Sequence, residues 1–149
     1  MTLHVAVVGA GRATAQQAAL AEEVGRALAD AGALLVSGGL GGVMEAACRG
    51  AKAAGGTTLG ILPGTDRAQA NEFVDVAVPT GLGEARNALV VRAADAVIAV
   101  AGEYGTLSEI ALALKTGKPV VGLDTWDIEG VVAASGPADA VSRALDLAK

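Results

Sequence analysis

The chain has 149 residues, of which 52% are hydrophobic and 18% charged, and its formal net charge is −5. An acidic chain lacks the clustered lysine and arginine on which non-specific nucleic-acid affinity depends, so we expect no nucleic-acid partner. No apolar run reaches the roughly 18 residues that a membrane span needs, so we expect no membrane partner either. The length predicts that residues 1–149 form a single domain.

The composition and the cysteine content indicate a compartment and a fold class. Cys48 is the only cysteine, so the chain can form no internal disulfide, and no basic, apolar leader precedes the first strand pattern at Leu3. These features predict a protein of the reducing cytoplasm. The apolar residues are mainly Ala, Val, Leu and Ile, with 21 glycines, which is typical of a buried parallel sheet packed between small-residue helices.

The first part of the chain predicts two units of strand, glycine turn and helix. The valine-rich run Leu3 to Val8 predicts a buried strand, and apolar residues at helical spacing predict a helix from Thr14 to Ala31. A second strand over Leu34 to Ser37 and a helix over Val43 to Ala54 follow. Glycines close both helices, as expected for helix C-termini.

The rest of the chain continues this alternation. Further strands are predicted at Thr58–Leu62, Val74–Val78, Ala96–Ala101, Val120–Leu123 and, at an edge, Gly130–Ala134. Further helices are predicted at Gly83–Ala94, Thr106–Thr116 and Ala138–Leu147. Strands that alternate with helices pair in parallel through right-handed crossovers, and unbroken apolar strands indicate a sheet covered on both faces. The sequence therefore predicts an α/β fold with a doubly wound, mainly parallel sheet in a Rossmann-like three-layer sandwich.

Three glycine clusters follow predicted strands, at the edge of a parallel sheet where ligands bind. Glycine allows an anion to approach the backbone closely, and the free amides at a helix start attract it. A tight turn explains any one cluster equally well, but three together favour a phosphate-bearing small molecule. The candidate binding residues are Gly9, Gly11, Gly38, Gly39, Gly41, Gly42, Gly102 and Gly105, with Arg12 beside the first cluster.

Two common nucleotide-binding motifs are not complete in this sequence. Gly9-Ala10-Gly11 begins like the dinucleotide fingerprint, but Thr14 stands in place of its third glycine. Ser37-Gly38 ends the second strand, where an acidic residue would hold a ribose hydroxyl. No phosphate-binding Lys-Ser or Lys-Thr loop is present. The sequence therefore favours neither a nicotinamide dehydrogenase nor an ATPase of the P-loop type.

Few residues are suited to catalysis. His4 is expected at the edge opposite the glycine loops and Cys48 inside a helix, so we interpret both as structural, and no cluster of ligands predicts a metal site. If Thr106 caps its helix, Glu109 is a capping-box carboxylate. Arg86 is predicted in the first turn of a helix, where a cation opposes the helix dipole, which suits a bound phosphate or carboxylate.

Three stretches, Ser37 to Glu45, Gly83 to Asn87 and Gly102 to Glu109, together resemble the LOG ("lonely guy") superfamily, often labelled lysine decarboxylases. The similarity is greatest to its short bacterial branch, which includes molybdenum-cofactor carrier proteins. It implies hydrolysis of a nucleoside 5′-monophosphate to free base and ribose 5-phosphate, without a cofactor. It also implies that Arg86 and Glu109 are catalytic, and that Thr106 and the glycines hold the phosphate.

Three positions depart from the family motif: Ala101 replaces a proline, Glu103 a glycine and Asn87 a lysine. The new carboxylate and the missing lysine both oppose anion binding. Three functions therefore stay open: N-glycosidic hydrolysis, which comes first because both catalytic residues are present; carriage of a molybdopterin-type cofactor without turnover; and nucleotide sensing. The resemblance further implies a homodimer or higher homo-oligomer.

Overall fold

The computed structural model describes residues 1–149, in which strands and helices alternate. The strands are β1 (His4–Gly9), β2 (Leu34–Ser37), β3 (Thr58–Leu62), β4 (Val76–Pro79), β5 (Ala96–Val100), β6 (Val120–Leu123) and β7 (Val131–Ala133). The helices are α1 (Ala15–Asp30), α2 (Val43–Ala53), α3 (Asn87–Arg92), α4 (Tyr104–Lys115) and α5 (Pro137–Ala148). No helix is both long and apolar enough to cross a lipid bilayer.

The seven strands form one sheet in the order β4-β3-β2-β1-β5-β6-β7, and every neighbouring pair is parallel. From the central strand β1 the chain winds outward to β4, then returns to β5 on the other side of β1 and winds outward to β7. This reversal confirms the predicted doubly wound fold. It also opens a crevice beyond the carboxyl ends of β1 and β5, because the two adjoining loops diverge there.

Alternate residues of the central strands supply two separate hydrophobic cores. In β1, Val5 and Val7 pack in a core with residues of α1, α2 and α5, whereas Ala6 and Val8 pack in another with residues of α3 and α4. Every residue of β5 is buried. Helices therefore cover both faces of the sheet, which explains why its strands are continuous apolar runs and confirms the three-layer sandwich.

Helix α4 begins two residues before the predicted start at Thr106, and two further elements differ from the sequence-based expectation. The stretch predicted as one helix is a 3₁₀ turn at Gly83–Arg86 followed by the short helix α3, and Gly83 itself, with a φ of +59°, lies outside helical geometry. The fourth strand begins at Val76 and not at Val74. Before it, Asp75 and Thr58 pair through their side chains, with the Thr58 amide donating to the Asp75 carboxylate over 2.9 Å.

His4 and Cys48 occupy the positions predicted for them. His4 begins β1 at the edge opposite the glycine loops, and its Nδ1 lies 3.2 Å from the carbonyl oxygen of Ala93. Cys48 is fully buried in α2, with its Sγ 3.7 Å from Ser37 Oγ, and burial raises the pKa of its thiol. A neutral, enclosed thiol packs as a small apolar group, and His4 lies far from the glycine loops, so both positions fit the structural interpretation.

Candidate functional site

A cleft of about 500 Å³ opens where the glycine loops meet, beyond the carboxyl ends of the central strands. It is lined by Gly9, Ala10, Gly11, Arg12, Met44, Arg86, Glu103, Gly105 and Thr106. Most of the other predicted glycines lie behind residues of this lining: Gly38 against Arg86, Gly41 and Gly42 against Gly11, and Gly102 against Thr106. Gly39 lies against Leu62, which does not line the cleft. The structure therefore brings the three loops together at one cavity, which we call the first cleft.

Some of these glycines are required by the fold itself. A Cβ atom at Gly9 would lie 2.3 Å from the Val100 carbonyl oxygen and 2.7 Å from Val43 Cγ1. At Gly42, where φ is +65°, it would lie 2.2 Å from the Ala10 carbonyl oxygen. Close packing between loops explains glycine at both positions, so neither residue argues for a ligand.

Gly11, Gly41 and Gly105 have no such internal reason. A Cβ atom at Gly11 would meet nothing within 4 Å, and those at Gly41 and Gly105 would meet only single atoms at 3.8 and 4.0 Å. None of the three has a positive φ. Two of them line the first cleft. Their bare backbones leave open the space that an anion needs for close approach to the amides.

The helix starts at this edge differ in whether their amides are free. At α1, Thr14 and Gln17 form a capping box: the Gln17 amide donates to Thr14 Oγ1 and the Thr14 amide to Gln17 Oε1, each over 3.1 Å. No side chain caps α2 or α4. The first amides of α4, which follow Glu103 and include Gly105, are therefore open to an anion, whereas at α1 the Gln17 amide is already bonded to the cap.

The capping-box interpretation of Glu109 is wrong. Helix α4 begins at Tyr104 with Glu103 as its N-cap residue, so Thr106 lies inside the first turn and caps nothing. Gly102, with φ of +104°, turns the chain into the helix two residues earlier than the sequence suggests. The Glu109 side chain is consequently free of any capping contact and enters no ion pair, although the residue is only 7% exposed.

Glu109 and Arg86 influence each other electrostatically across the buried wall of the cleft. Burial raises the pKa of Glu109 to about 7, and the nearby Arg86 charge opposes that rise. Burial lowers the pKa of Arg86, and the Glu109 charge opposes that fall. Arg86 lines the first cleft, whereas Glu109 lies about one helical turn beyond Thr106 and is not among the lining residues.

Arg86 also has a structural role that its position in the sequence did not indicate. Its Nε donates to the Ile61 carbonyl oxygen over 2.9 Å, and its Nη2 to the Gly38 carbonyl oxygen over 3.4 Å. Its Nη1 donates to Asn87 Oδ1. The guanidinium therefore connects the carboxyl ends of β2 and β3, and the residue as a whole is 9% exposed.

Asn87, which replaces the family's lysine, connects Arg86 to the start of α4. Its amide oxygen accepts from Arg86, and its Nδ2 lies 3.2 Å from Ser108 Oγ as a donor. Ser108 Oγ in turn donates to the Gly105 carbonyl oxygen over 2.6 Å. The asparagine lacks the positive charge of a lysine, but its side chain holds the Arg86 guanidinium in a fixed position beside α4.

The charges of the first cleft balance in favour of an anion. Two guanidinium groups, those of Arg12 and Arg86, face one carboxylate, that of Glu103. Arg12 and Glu103 are both exposed and neither forms an ion pair. Glu103 therefore does not cancel the attraction for a phosphate. No group of three or more His, Cys, Asp or Glu side chains converges as metal ligands.

A second cleft of about 530 Å³ adjoins the first, and sequence reasoning did not identify it. It is lined by Ala10, Arg12, Thr14, Gln17, Ala101, Gly102, Glu103, Asp124, Thr125 and Trp126. Trp126 Nε1 donates to the Glu103 carbonyl oxygen over 3.2 Å. A sequence signal did exist, because the only tryptophan lies three residues after the end of a predicted strand, but the partners of this segment are distant in the chain.

Alanine at position 105 is expected to leave the fold intact and to weaken phosphate binding. The added methyl group meets no atom nearer than 4.0 Å, and alanine favours a helix over glycine by up to about 1 kcal/mol. The methyl group would instead occupy the approach to the α4 amides. We expect Gly105→Ala to lower the affinity for ribose 5-phosphate roughly tenfold, as measured by calorimetry, with an equal or higher melting temperature.

Gly9→Ala is the matched control, since its methyl group would collide with the Val100 carbonyl oxygen and overpacking costs roughly 1–3 kcal/mol of stability. Unchanged ribose 5-phosphate affinity in Gly105→Ala would contradict the assignment of these amides to the phosphate.

Solved structures and sequence relatives share the fold of this chain. The molybdenum cofactor binding protein of the phototrophic bacterium Rippkaea orientalis matches with a TM-score of 0.94 and 38% identity, over 100% of this chain and 99% of that one. The molybdenum cofactor carrier protein of Chlamydomonas reinhardtii matches with a TM-score of 0.89 and 36% identity, over 99% of this chain and 98% of that one.

A cytokinin riboside 5′-monophosphate phosphoribohydrolase of Mycobacterium tuberculosis is 36% identical over 116 residues, which are 72% of this chain but only 62% of that protein. The model of the SLOG cluster4 family matches residues 2–145, nearly the whole chain. The predicted resemblance to LOG-like proteins is thereby confirmed, and the chain belongs to the SLOG cluster4 family.

Proposed function

We propose that this protein binds a phosphate-bearing cofactor of the molybdopterin type and carries it without turnover. The observation that carries the proposal is the first cleft, where open glycines, the uncapped start of α4 and two guanidinium groups converge while Glu109 stays outside the lining. Such an arrangement holds an anion well. For hydrolysis of a ligand bound in the cleft, however, the only carboxylate in the lining is that of the exposed Glu103. The full-length likeness to two molybdenum-cofactor proteins supports the same conclusion.

The residues present fit such a cargo. Its phosphate would contact the α4 amides near Gly105, with Arg12 and Arg86 supplying positive charge. The adjoining second cleft has room for a flat ring system. In this proposal the cofactor is cargo, so the residues of the chain bind and shield it and take part in no redox step.

N-glycosidic hydrolysis of a nucleoside 5′-monophosphate is the second candidate. One observation favours it: Glu109, with its pKa raised to about 7 and without an ion-pair partner, could hold or release a proton near neutral pH. A carboxylate next to the developing positive charge of the ribose is what this reaction requires. Arg86 would then act together with Glu109, as the LOG resemblance implies. No comparable observation favours nucleotide sensing alone.

A single purified sample can distinguish the two candidates. We expect the freshly isolated protein to contain molybdenum and to show pterin fluorescence, and we expect no free base from a panel of nucleoside 5′-monophosphates followed by chromatography. Glu109→Gln serves as the control for the second assay. Base release that this substitution abolishes would establish a phosphoribohydrolase and overturn the carrier proposal.

A homodimer or higher homo-oligomer and a cytoplasmic location remain predictions that accompany this proposal. Leu82, Leu89 and Tyr104 are exposed large apolar side chains around the 3₁₀ turn, α3 and the start of α4. Their exposure in the single chain supports an association of subunits beside the site. Sedimentation velocity measures the assembly directly.

A further inference from the structure

We propose that the second cleft binds the cyclic guanidine edge of a flat heteroaromatic ring, namely the ring N–H beside an exocyclic amino group that pterins and guanine share. Asp124 is the specificity-determining residue, and Trp126 provides an aromatic surface. The inference rests on the proposed function, because it takes the phosphate of the same ligand to lie in the first cleft.

The two clefts adjoin. Arg12 and Glu103 line both of them, so the start of α4 and the loop that follows β6 border neighbouring cavities. A ligand whose phosphate contacts the amides near Gly105 therefore has room for its ring beside Trp126. With about 530 Å³, the second cleft is as large as the first.

The charges of the two clefts are complementary to a ligand with two different ends. In the first, the guanidinium groups of Arg12 and Arg86 outnumber the Glu103 carboxylate. In the second, the carboxylates of Glu103 and Asp124 outnumber the single guanidinium of Arg12. An anionic group therefore suits the first cleft, and a group rich in N–H donors suits the second.

Asp124 is held in place but has no partner within the protein. It is one of only two non-glycine residues with a positive φ, +51°, and the other, Ala101, lines the same cleft. The adjacent Thr125 Oγ1 donates to the Ala101 carbonyl oxygen over 2.6 Å, which fixes the segment. The Asp124 side chain is exposed and forms no ion pair. Its two oxygens can therefore accept the two parallel N–H bonds of a guanidine edge.

Trp126 is fixed in a similar way. Its Nε1 already donates to the Glu103 carbonyl oxygen over 3.2 Å, and its ring lies 6.2 Å from that of Tyr104, at an interplanar angle of 30°. With the indole N–H occupied, the ring offers the ligand only an apolar, stacking surface. Stacking accepts any flat ring, so Trp126 adds affinity and Asp124 adds selectivity.

The test uses Trp126 as its reporter, since it is the only tryptophan in the chain. The full-length protein is titrated with guanosine monophosphate, adenosine monophosphate and a pterin monophosphate. We expect the two ligands with a guanidine edge to quench the fluorescence and to bind at least about tenfold more tightly than the adenosine compound. Asp124→Asn should remove this preference, and Asp30→Asn, at the exposed far end of α1, should retain it.

The possible outcomes are distinct. Equal affinity for the guanosine and adenosine compounds, or a preference that survives Asp124→Asn in a folded variant, would overturn the inference and leave phosphate binding intact. Failure of all three compounds and of ribose 5-phosphate to bind would overturn both this inference and the proposed function. A further preference between the pterin and guanosine compounds supports the inference and identifies the natural source of the guanidine edge.

Discussion

Arg86→Ala is expected to lower the free energy of unfolding by roughly 2–3 kcal/mol and to abolish measurable binding of ribose 5-phosphate. The substitution leaves two carbonyl oxygens, those of Ile61 and Gly38, and the Asn87 amide oxygen without their donor. Each lost bond costs about 1 kcal/mol, and the relief of burying a cation offsets part of the sum. Urea unfolding and calorimetry measure the two effects separately.

Arg12→Ala is the matched control because it removes the other guanidinium of the same cleft. Arg12 is exposed and forms no ion pair, so its loss should weaken ribose 5-phosphate binding while the urea midpoint stays the same. An Arg86→Ala protein as stable as the unmodified one would contradict the structural role of Arg86. Retained binding in that variant would contradict its place in the phosphate site.

The fold could be predicted from the sequence because its signals are local. The core strands are mostly apolar runs, glycine or proline stands at the end of β1, β2 and β3, and the observed bounds of β2, β3 and β6 are those predicted. The exceptions have identifiable causes. A positive φ keeps Gly83 out of a regular helix, and the pairing of Thr58 with Asp75 precedes a fourth strand that starts two residues late.

The candidate site was only partly accessible to the same reasoning. The convergence of the glycine loops follows from the topology of a parallel sheet and could be predicted. The sequence Thr106-Leu107-Ser108-Glu109 matches a capping box, yet Gly102 starts the helix earlier, and this depends on backbone torsions that the residue pattern does not reveal. The sequence also could not show which glycines have free space around them, because this depends on distant loops.

The contacts of Asn87 and the second cleft were missed because they join segments that are far apart in the chain. Asn87 touches Ser108 across 21 positions, and Trp126 donates to Glu103 across 23. From the sequence alone, Asn87 stands where the family motif has a lysine, and Glu103 adds a negative charge that opposes anion binding. In the structure the first holds Arg86 in place, and the second lies between two clefts of opposite charge preference.

The stability of the protein is expected to fall by roughly 3 kcal/mol as the pH rises from about 4.5 to about 7, because of Glu109 alone. In the folded chain this carboxyl keeps its proton up to about pH 7, whereas in the unfolded chain it loses it near its ordinary pKa of 4.5. Between these values the unfolded state binds fewer protons, so unfolding becomes easier as the pH increases. Above about pH 7 the contribution levels off.

Other shifted carboxyl groups act outside this window and with the opposite sign. Burial raises the pKa of Asp75, but its bonds to Lys52 and Thr58 together outweigh this effect and lower the pKa from 3.8. The pKa of Asp139 is lowered by its bonds to Ser135 and Arg143. The stability that these two groups contribute is present above pH 3.8 and is lost as the pH falls further. They do not mask a decline that begins at higher pH.

Glu109→Gln isolates the effect, because glutamine has nearly the shape of the protonated acid and does not titrate. Urea unfolding at intervals from pH 4.5 to 8.5 should show equal stability of variant and unmodified protein at the acidic end and a more stable variant at the alkaline end. Glu84→Gln removes an exposed carboxylate from the same part of the chain and should leave the pH profile unchanged. If the Glu109→Gln protein declines in parallel with the unmodified one, Glu109 is ionised in the folded state well below pH 7. The carboxyl would then be a fixed anion beside Arg86, which weakens the cleft's attraction for phosphate and removes the observation that favours hydrolysis.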